Sequence, residues 1–188
     1  RLQFPGAFYH VFNRGINKKT VCFSRHDYQL FLHYLNDTWL KNNFSIHAFC
    51  LMKNHYHLLI ETHDECLPKV MQQLVSKFAK HLNQTLNADG PVFKDRYKSI
   101  LIDSNQYLLN VMRYIHLNPI KANLCPSPAQ YPWSSFNSYT SKSFTHDFLS
   151  TSTILAHFKT KSEFVYYHQF GIDQETLSFY SKKNIQPI

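Results

Sequence analysis

The stretch SIHAFCLM-KN-HYHLLIET, residues 45–62, decides the fold. Its two runs of aromatic, aliphatic and β-branched residues, at 45–52 and 55–62, are separated only by Lys53 and Asn54. A polar connection of two residues between such runs is typical of an antiparallel β-hairpin. The segment therefore predicts two neighbouring strands, and the rest of the chain has to extend or cover the sheet that they begin.

The segments on either side of the hairpin predict the remaining elements. Residues 7–13, AFYHVFN, alternate as a strand does, and Arg14-Gly15 then makes a turn. Apolar residues recur every three or four positions in 24–42, which Ser24 caps, and in 67–86, so both segments predict amphipathic helices. Residues 96–103 predict another strand, after which Ser104 begins a third helix that runs to about Leu117 and is stopped by Pro119.

The resulting order, β-α-β-β-α-β-α, predicts an α+β fold. It matches the ferredoxin-like, split βαβ arrangement, in which an antiparallel sheet carries helices on one face. The third helix is an addition to that arrangement. We expect residues 1–140 to form the main domain and residues 141–188 a helical tail packed on it, with short helical patterns at 153–158 and 162–170.

The charge and the glycine and cysteine content of the chain favour some classes of function and exclude others. Lys and Arg number 20 against 12 Asp and Glu, and the net charge of +8 favours a polyanionic partner such as nucleic acid. The four glycines cannot make a Walker loop or a Rossmann turn, and the four cysteines lack the C-x-x-C spacing of a zinc knuckle. No apolar run approaches the roughly 18 residues that span a bilayer, so we expect a cytoplasmic protein without a membrane partner.

Two pairs of residues could carry chemistry. His55 and His57 flank Tyr56 on a predicted strand, so both imidazoles project from one face and could bind a divalent metal. Among twelve histidines, such a pair could equally be structural. Tyr114 and Asn118 lie one turn apart on one face of the third helix and could supply a nucleophile and a third ligand.

Each member of the helical pair also has an ordinary structural interpretation. Tyr114 could be an aromatic residue that packs the helix onto the sheet, and Asn118 a polar residue at the end of a helix before proline. His116 is a reserve metal ligand. Tyr107, seven residues before Tyr114 on the same helical face, is a reserve nucleophile.

Five blocks of sequence, in order, resemble the REP-associated tyrosine transposases, which are single-tyrosine members of the HUH endonuclease superfamily. The blocks are PGAFYHVFNRG, HAFCLMKNHYHLLIET, VFKDRYKSILID, RYIHLNPIKANL and YPWSSFNSY. The resemblance runs from about Phe4 to Tyr139. It implies that His55, His57 and Asn118 bind a divalent metal, Mg²⁺ or Mn²⁺, and that Tyr114 is the nucleophile. Tyr56 occupies a position that is usually hydrophobic in the family.

The resemblance also implies a reaction and a partner. Tyr114 would cleave single-stranded DNA near hairpin or palindromic repeats through a 5′-phosphotyrosine intermediate, and strand transfer would give transposition or recombination. We expect the DNA-binding residues to be polar or basic side chains at three places: Asn13 and Arg14 at the end of the first strand, Lys53 in the hairpin turn, and Arg96, Lys98 and Arg113 near the later elements. Tyr97, Phe93 and Trp133 are candidates for base stacking. The resemblance implies a monomer or a homodimer and leaves the two states open.

Two alternative functions fit the same sequence. A replication-initiator or relaxase-like nicking protein would use the same chemistry on a different DNA substrate. A non-catalytic module that binds single-stranded nucleic acid would also have a sheet with aromatic and basic residues, although the aromatic RNP blocks of RNA-recognition domains are absent.

Overall fold

A computed structural model describes residues 4–64, 66–141 and 145–171 of the chain. Its strands and helices, in chain order, are β1 (Ala7–Arg14), α1 (Arg25–Trp39), β2 (Phe44–Leu51), β3 (His55–Thr62), α2 (Leu67–Leu86), β4 (Lys98–Ile102), α3 (Asn105–Lys121), α4 (Phe136–Thr140), α5 (Ser152–Leu155) and α6 (Lys161–Tyr167). The first seven follow the order predicted from the sequence. The fourth strand is shorter than predicted, so Arg96 precedes it.

The four strands form one antiparallel sheet in the order β2-β3-β1-β4. This order places the first strand between the third and fourth, as in a ferredoxin-like fold, and the predicted α+β class is confirmed. In the register of β1 and β3, His10 lies opposite Leu59 and Phe12 lies opposite His57. A bulge in β2 leaves His47 as an extra residue between two paired positions.

Helices α1 and α2 cover one face of the sheet. Side chains alternate between the two faces of a strand, so every second residue of the sheet packs against the apolar sides of both helices. The cluster includes Tyr9, Val11, Leu58, Ile60, Phe31, Leu35, Val70, Leu74 and Phe78. At the start of α1 the Asp27 carboxylate accepts a 2.7 Å hydrogen bond from the backbone N–H of Ser24, the predicted cap. The helix ends at Trp39, earlier than predicted.

Helix α3 lies on the other face of the sheet, which the sequence pattern did not assign to any helix. Alternate sheet residues pack there against α3 and the helices that follow it: Phe12, Ala48, Leu59 and Ile100 contact a cluster that includes Val111, Ile115, Phe136 and Phe164. All residues from Asn110 to Pro119 are buried. Helix α3 is therefore enclosed between the sheet and the chain that follows it.

Pro119 does not stop α3, contrary to the prediction. The helix continues to Lys121, and the N–H of Ala122 donates to the carbonyl of Asn118 over 3.0 Å. Proline removes a single hydrogen bond, the one to residue 115, and the burial of the surrounding turns outweighs that loss. Consequently Asn118 lies within the helix, and its side chain has a fixed direction one turn beyond Tyr114.

The chain after α3 covers one edge of the sheet, the edge formed by β2. The N–H of Leu51 donates to the carbonyl of Trp133, and the N–H of Ser135 donates to that of Phe49, so residues 133–135 run beside the edge strand β2. Ile154 and Phe164 are fully buried in the second cluster. The domain boundary at residue 140 stays a prediction, because 142–144 and 172–188 lie outside the described residues. None of the described helices has the length and hydropathy needed to cross a bilayer.

Candidate active site

His55 and His57 project from the face of β3 that α3 covers. Their ring centroids are 5.1 Å apart and their planes are nearly perpendicular, at 85°. The strand alternation predicted from H-Y-H is therefore present, with Tyr56 buried on the opposite face against α1. Only 6% of His55 and 1% of His57 is exposed, so both imidazoles lie inside the interface between sheet and helix.

Helix α3 brings Tyr114 and Asn118 to the two histidines. The Oδ1 atom of Asn118 lies 3.4 Å from Nε2 of His55. The ring of Tyr114 meets that of His57 edge to face, with centroids 5.6 Å apart at 89°. The four side chains that the sequence singled out thus form one cluster, although 42 residues of sequence (63–104) separate the two elements that carry them.

Burial keeps the two histidines neutral. It lowers the pKa of His55 to about 4, and the nearby charge of Arg14 acts in the same direction. Burial also lowers the pKa of His57 well below its usual range, with smaller contributions from His10, His55 and Lys121. Neutral imidazole is the form that binds metal, so both rings are available as nitrogen ligands at neutral pH.

Burial raises the pKa of the Tyr114 hydroxyl, and the neighbouring Asn118 amide partly opposes that effect. The side chain is 2% exposed. The phenol is therefore protonated at neutral pH, and positive charge beside it favours the ionised, more nucleophilic form.

The residues at this cluster fit a divalent cation. Nε2 of His57 is buried and has no hydrogen-bond partner among the residues that the structure describes, which is unusual for a ring nitrogen. The Nδ1 atom of His55 lies 2.7 Å from Oδ1 of Asn54, whose amide nitrogen in turn donates to the carbonyl of Lys18. Nδ1 of His55 is then the protonated nitrogen, and its Nε2 lone pair faces the Asn118 carbonyl oxygen, so two acceptors face each other across 3.4 Å.

Two imidazole nitrogens and one amide oxygen are a mixed donor set that suits Mn²⁺ and that also admits Mg²⁺. Within the described ranges, no group of three or more His, Cys, Asp or Glu side chains has the arrangement of a metal site. An amide oxygen is therefore the third protein ligand that this cluster offers.

Sequence reasoning missed two residues of the cluster. His10 is on β1, and its Nε2 atom lies 2.9 Å from the Nδ1 atom of His57. Lys121 places its ammonium group 5.6 Å from the centroid of the Tyr114 ring. The spacing of seven residues from Tyr114 could have identified Lys121 on the same helical face. Finding His10 required the register between β1 and β3, which periodicity does not give.

The structure separates His116, the reserve ligand, from this cluster. Its ring is fully buried on the far side of α3, where Nδ1 lies 3.0 Å from His168 Nε2 and Nε2 lies 2.8 Å from Ser135 Oγ. His116 therefore belongs to the packing of the chain against α3. Tyr107, the reserve nucleophile, is half-buried at the start of the same helix.

Two of the predicted DNA-binding residues lie in the interior. Arg113 is 5% exposed, and its guanidinium lies over the ring of Tyr167, 4.4 Å from the centroid. Asn13 is 6% exposed, and its amide donates to the carbonyl of Asp95. Both side chains are as buried as those of the candidate site, so their contact with DNA stays a prediction. In this structure the two side chains hold segments of the protein together, through Asp95 and Tyr167.

The remaining predicted DNA-binding residues are accessible, and most lie at one edge of the sheet. Lys53, Arg96 and Lys98 are exposed and Arg14 is half-buried. The N–H of Gly15 donates to the carbonyl of Asn54, and the N–H of Lys94 donates to that of Arg14, so the hairpin turn, the end of β1 and residues 94–96 adjoin one another. His55 begins β3 at this same edge.

The stacking candidates differ in accessibility. Tyr97 and Phe93 are buried in the first core cluster and are not available for stacking on bases. Trp133 is half-buried and stacks on Tyr28 with centroids 4.7 Å apart at 13°. Both rings line a cavity of about 480 Å³ beside Lys53 and the exposed Arg25.

Residues 4–118 match the model of a protein family described as IS200-like transposases. Among solved structures, the fold is similar to that of a REP-associated tyrosine transposase bound to a REP hairpin, with a TM-score of 0.66 and 16% sequence identity over 81% of this chain and 93% of that chain. A protein from Deinococcus radiodurans R1 described as a transposase aligns over 61% of this chain and 92% of its own, with a TM-score of 0.44 and 17% identity. No curated protein matches significantly.

Proposed function

The chain belongs to the family of IS200-like transposases, and we propose that it is a metal-dependent endonuclease and strand transferase for single-stranded DNA. The convergence of two imidazoles, an amide and a phenol supports this proposal: Asn118 lies at His55, and Tyr114 lies at His57. The first two blocks of the sequence resemblance lie on β1 and the hairpin, and the fourth lies on α3.

His55, His57 and Asn118 would hold the metal, Mg²⁺ or Mn²⁺, through Nε2, Nε2 and Oδ1. Bound there, the ion supplies Lewis acidity, polarising a phosphodiester and stabilising the negative charge that develops on its oxygens. Because two of the three donors are imidazole nitrogens, this site should bind Mn²⁺ more tightly than Mg²⁺.

Tyr114 performs the cleavage. Its phenolic oxygen forms a bond to phosphorus while the bond from phosphorus to the 3′ oxygen of the preceding nucleotide breaks. The phenolic proton is lost and the departing oxygen gains one, so the products are a 5′-phosphotyrosine and a free 3′-hydroxyl. A different 3′-hydroxyl reverses the same exchange, releases Tyr114 and joins two strands. The phosphotyrosine bond retains the energy of the phosphodiester, so strand transfer needs no nucleotide cofactor.

The substrate that fits this proposal is a single strand adjoining a hairpin. The similar fold of the REP-associated transposase was solved with a REP hairpin, which supports a hairpin of the palindromic-repeat type as the partner. Exposed cations at the sheet edge next to His55, Lys53 and Arg96 among them, would hold the phosphates. Since Tyr114, His57 and Asn118 are almost inaccessible, the site has to open before a phosphodiester reaches it.

A denaturing gel tests the proposal. The protein is incubated with end-labelled single-stranded hairpin DNA and Mn²⁺, with EDTA in a parallel sample. We expect a covalent protein–DNA adduct that EDTA and Tyr114→Phe each abolish. Tyr107→Phe is the matched control, since it removes the same hydroxyl one heptad away on α3, and it should form the adduct normally. An adduct that survives in Tyr114→Phe would contradict the proposal. Tight hairpin binding without any adduct would indicate a non-catalytic binding module.

The DNA path is tested by the salt dependence of binding. Each phosphate contact to single-stranded DNA contributes about 0.7 to the slope of log affinity against log salt concentration. Lys53→Ala and Arg96→Ala should each reduce that slope, whereas Lys80→Ala, an exposed cation on α2 at the other face of the sheet, should leave it unchanged. Equal slopes for all three variants would exclude the sheet edge as the path.

A further inference from the structure

We propose that His10 is a positioning residue for the metal site: its imidazole accepts the Nδ1 proton of His57 and thereby keeps the Nε2 lone pair of His57 directed at the metal. The inference deepens the proposed function and rests on it. Nothing in the sequence resemblance gives His10 a role.

The register of the sheet places His10 beside His57. His10 pairs with Leu59 across the β1–β3 ladder, and His57 is two positions along, so both side chains project from the face that α3 covers. The two rings are stacked, with centroids 5.1 Å apart at 26°, and the Nε2 of His10 lies 2.9 Å from the Nδ1 of His57. Only 1% of either residue is exposed, so water does not compete for this hydrogen bond.

A neutral imidazole carries one proton, and the hydrogen bond of one nitrogen determines the state of the other. If the proton of His57 were on Nε2, it would be a buried N–H group with no acceptor in the described part of the chain. If the proton is on Nδ1, the N–H donates to His10 and a lone pair remains at Nε2. The second arrangement satisfies the buried donor and produces the ligand form.

His55 shows the same arrangement with a different acceptor. Its Nδ1 lies 2.7 Å from Oδ1 of Asn54, and the Asn54 amide is oriented by its donation to the carbonyl of Lys18. Both candidate ligands therefore have an acceptor on Nδ1 and a lone pair on Nε2. Acceptors behind ligating histidines orient the ring and increase its basicity, and their removal commonly costs about 10- to 100-fold in metal affinity.

The first measurement needs no variant. In the ¹⁵N-labelled full chain at neutral pH and without metal, long-range ¹H–¹⁵N correlation spectra of the imidazoles report which ring nitrogen carries the proton. Signals of His57 are assigned by their loss in His57→Gln. We expect His57 to be protonated on Nδ1. A His57 that carries its proton on Nε2 in the wild-type protein would overturn the inference.

The second measurement is Mn²⁺ affinity, determined from the electron paramagnetic resonance signal of free Mn²⁺ during titration. His10→Phe removes the acceptor but retains a ring, and it should weaken Mn²⁺ binding about 10- to 100-fold and shift the His57 proton toward Nε2. His10→Gln retains a carbonyl acceptor at a similar reach and should restore most of the affinity and the tautomer.

His47→Phe is the matched control. His47 is an equally buried histidine on the same face of the sheet, but it bonds to Glu61 and Ser150 and does not contact His57. It should lower stability without changing the tautomer of His57 or the Mn²⁺ affinity. An affinity of His10→Phe within twofold of that of His47→Phe would overturn the inference while leaving the proposed nuclease intact. Failure of the wild-type protein to bind Mn²⁺ would instead overturn the proposed function, and the role of His10 with it.

Discussion

Ser135→Ala should be among the most destabilising small substitutions in the protein. The Ser135 hydroxyl is fully buried, accepts a 2.9 Å hydrogen bond from the backbone N–H of Phe49 and lies 2.8 Å from Nε2 of His116. Alanine fits the same space but leaves both partners without a bond. An unsatisfied buried polar group costs about 1–3 kcal/mol, so two such groups predict a loss of roughly 2–6 kcal/mol in the free energy of unfolding.

Urea denaturation at pH 7.5, followed by circular dichroism, measures this loss. The midpoint should fall while the slope of free energy against urea concentration stays constant, because the surface exposed on unfolding is unchanged. Ser138→Ala, three residues along in the same segment, removes a half-buried hydroxyl and should cost less than about 0.5 kcal/mol. If Ser135→Ala costs no more than Ser138→Ala, then the hydroxyl does not satisfy Phe49 and His116, and the reasoning about this network is wrong.

Three further predictions concern Gly15, His168 and Lys121. Gly15→Ala should lower the free energy of unfolding by about 1–3 kcal/mol in the same urea assay, because an added Cβ would lie 2.2 Å from the carbonyl oxygen of Lys19. Burial lowers the pKa of His168 to about 4, so below pH 6.5 the unfolded chain binds a proton that the folded chain excludes. This side chain should therefore lower the free energy of unfolding by about 3 kcal/mol between pH 6.5 and pH 4. His168→Gln should make the dependence of stability on pH shallower over that range. Lys121→Gln removes a cation beside Tyr114 and should slow adduct formation on the order of tenfold. Lys121→Arg keeps the positive charge and should retain the rate.

Local patterns were sufficient to predict most of the fold. The two-residue connection at Lys53 and Asn54 specified the hairpin, and the apolar stripe of residues 67–86 gave α2 with its observed bounds. Capping chemistry located the start of α1 at Ser24. The end of α3 was wrong, because a proline rule considers one hydrogen bond, whereas the helix is held by the burial of ten consecutive residues.

The candidate site was predictable where it depends on spacing and unpredictable where it depends on tertiary pairing. The spacings of His55 to His57 and of Tyr114 to Asn118 fix which side chains share a face, and the structure brings the two pairs together. The proximity of His10 follows from the strand register, a property of two segments about 50 residues apart. The burial of Arg113 follows from Tyr167, which belongs to a helix with no pattern linking it to α3.

The rotation of α3 about its axis determines whether Tyr114 meets His57, and the chain after α3 fixes that rotation. Residues two apart on a helix point about 200° apart, so Tyr114 faces the sheet while His116 faces α4 and α6. On that far side, His116 is bonded to Ser135, which is itself bonded to the edge strand β2, and to His168 beyond α6. A helix buried on every side could otherwise settle at several rotations with similar apolar contact, because hydrophobic packing is not directional. The buried hydrogen bonds of His116 select one of them, and so a network that lies outside the candidate site sets the position of Tyr114.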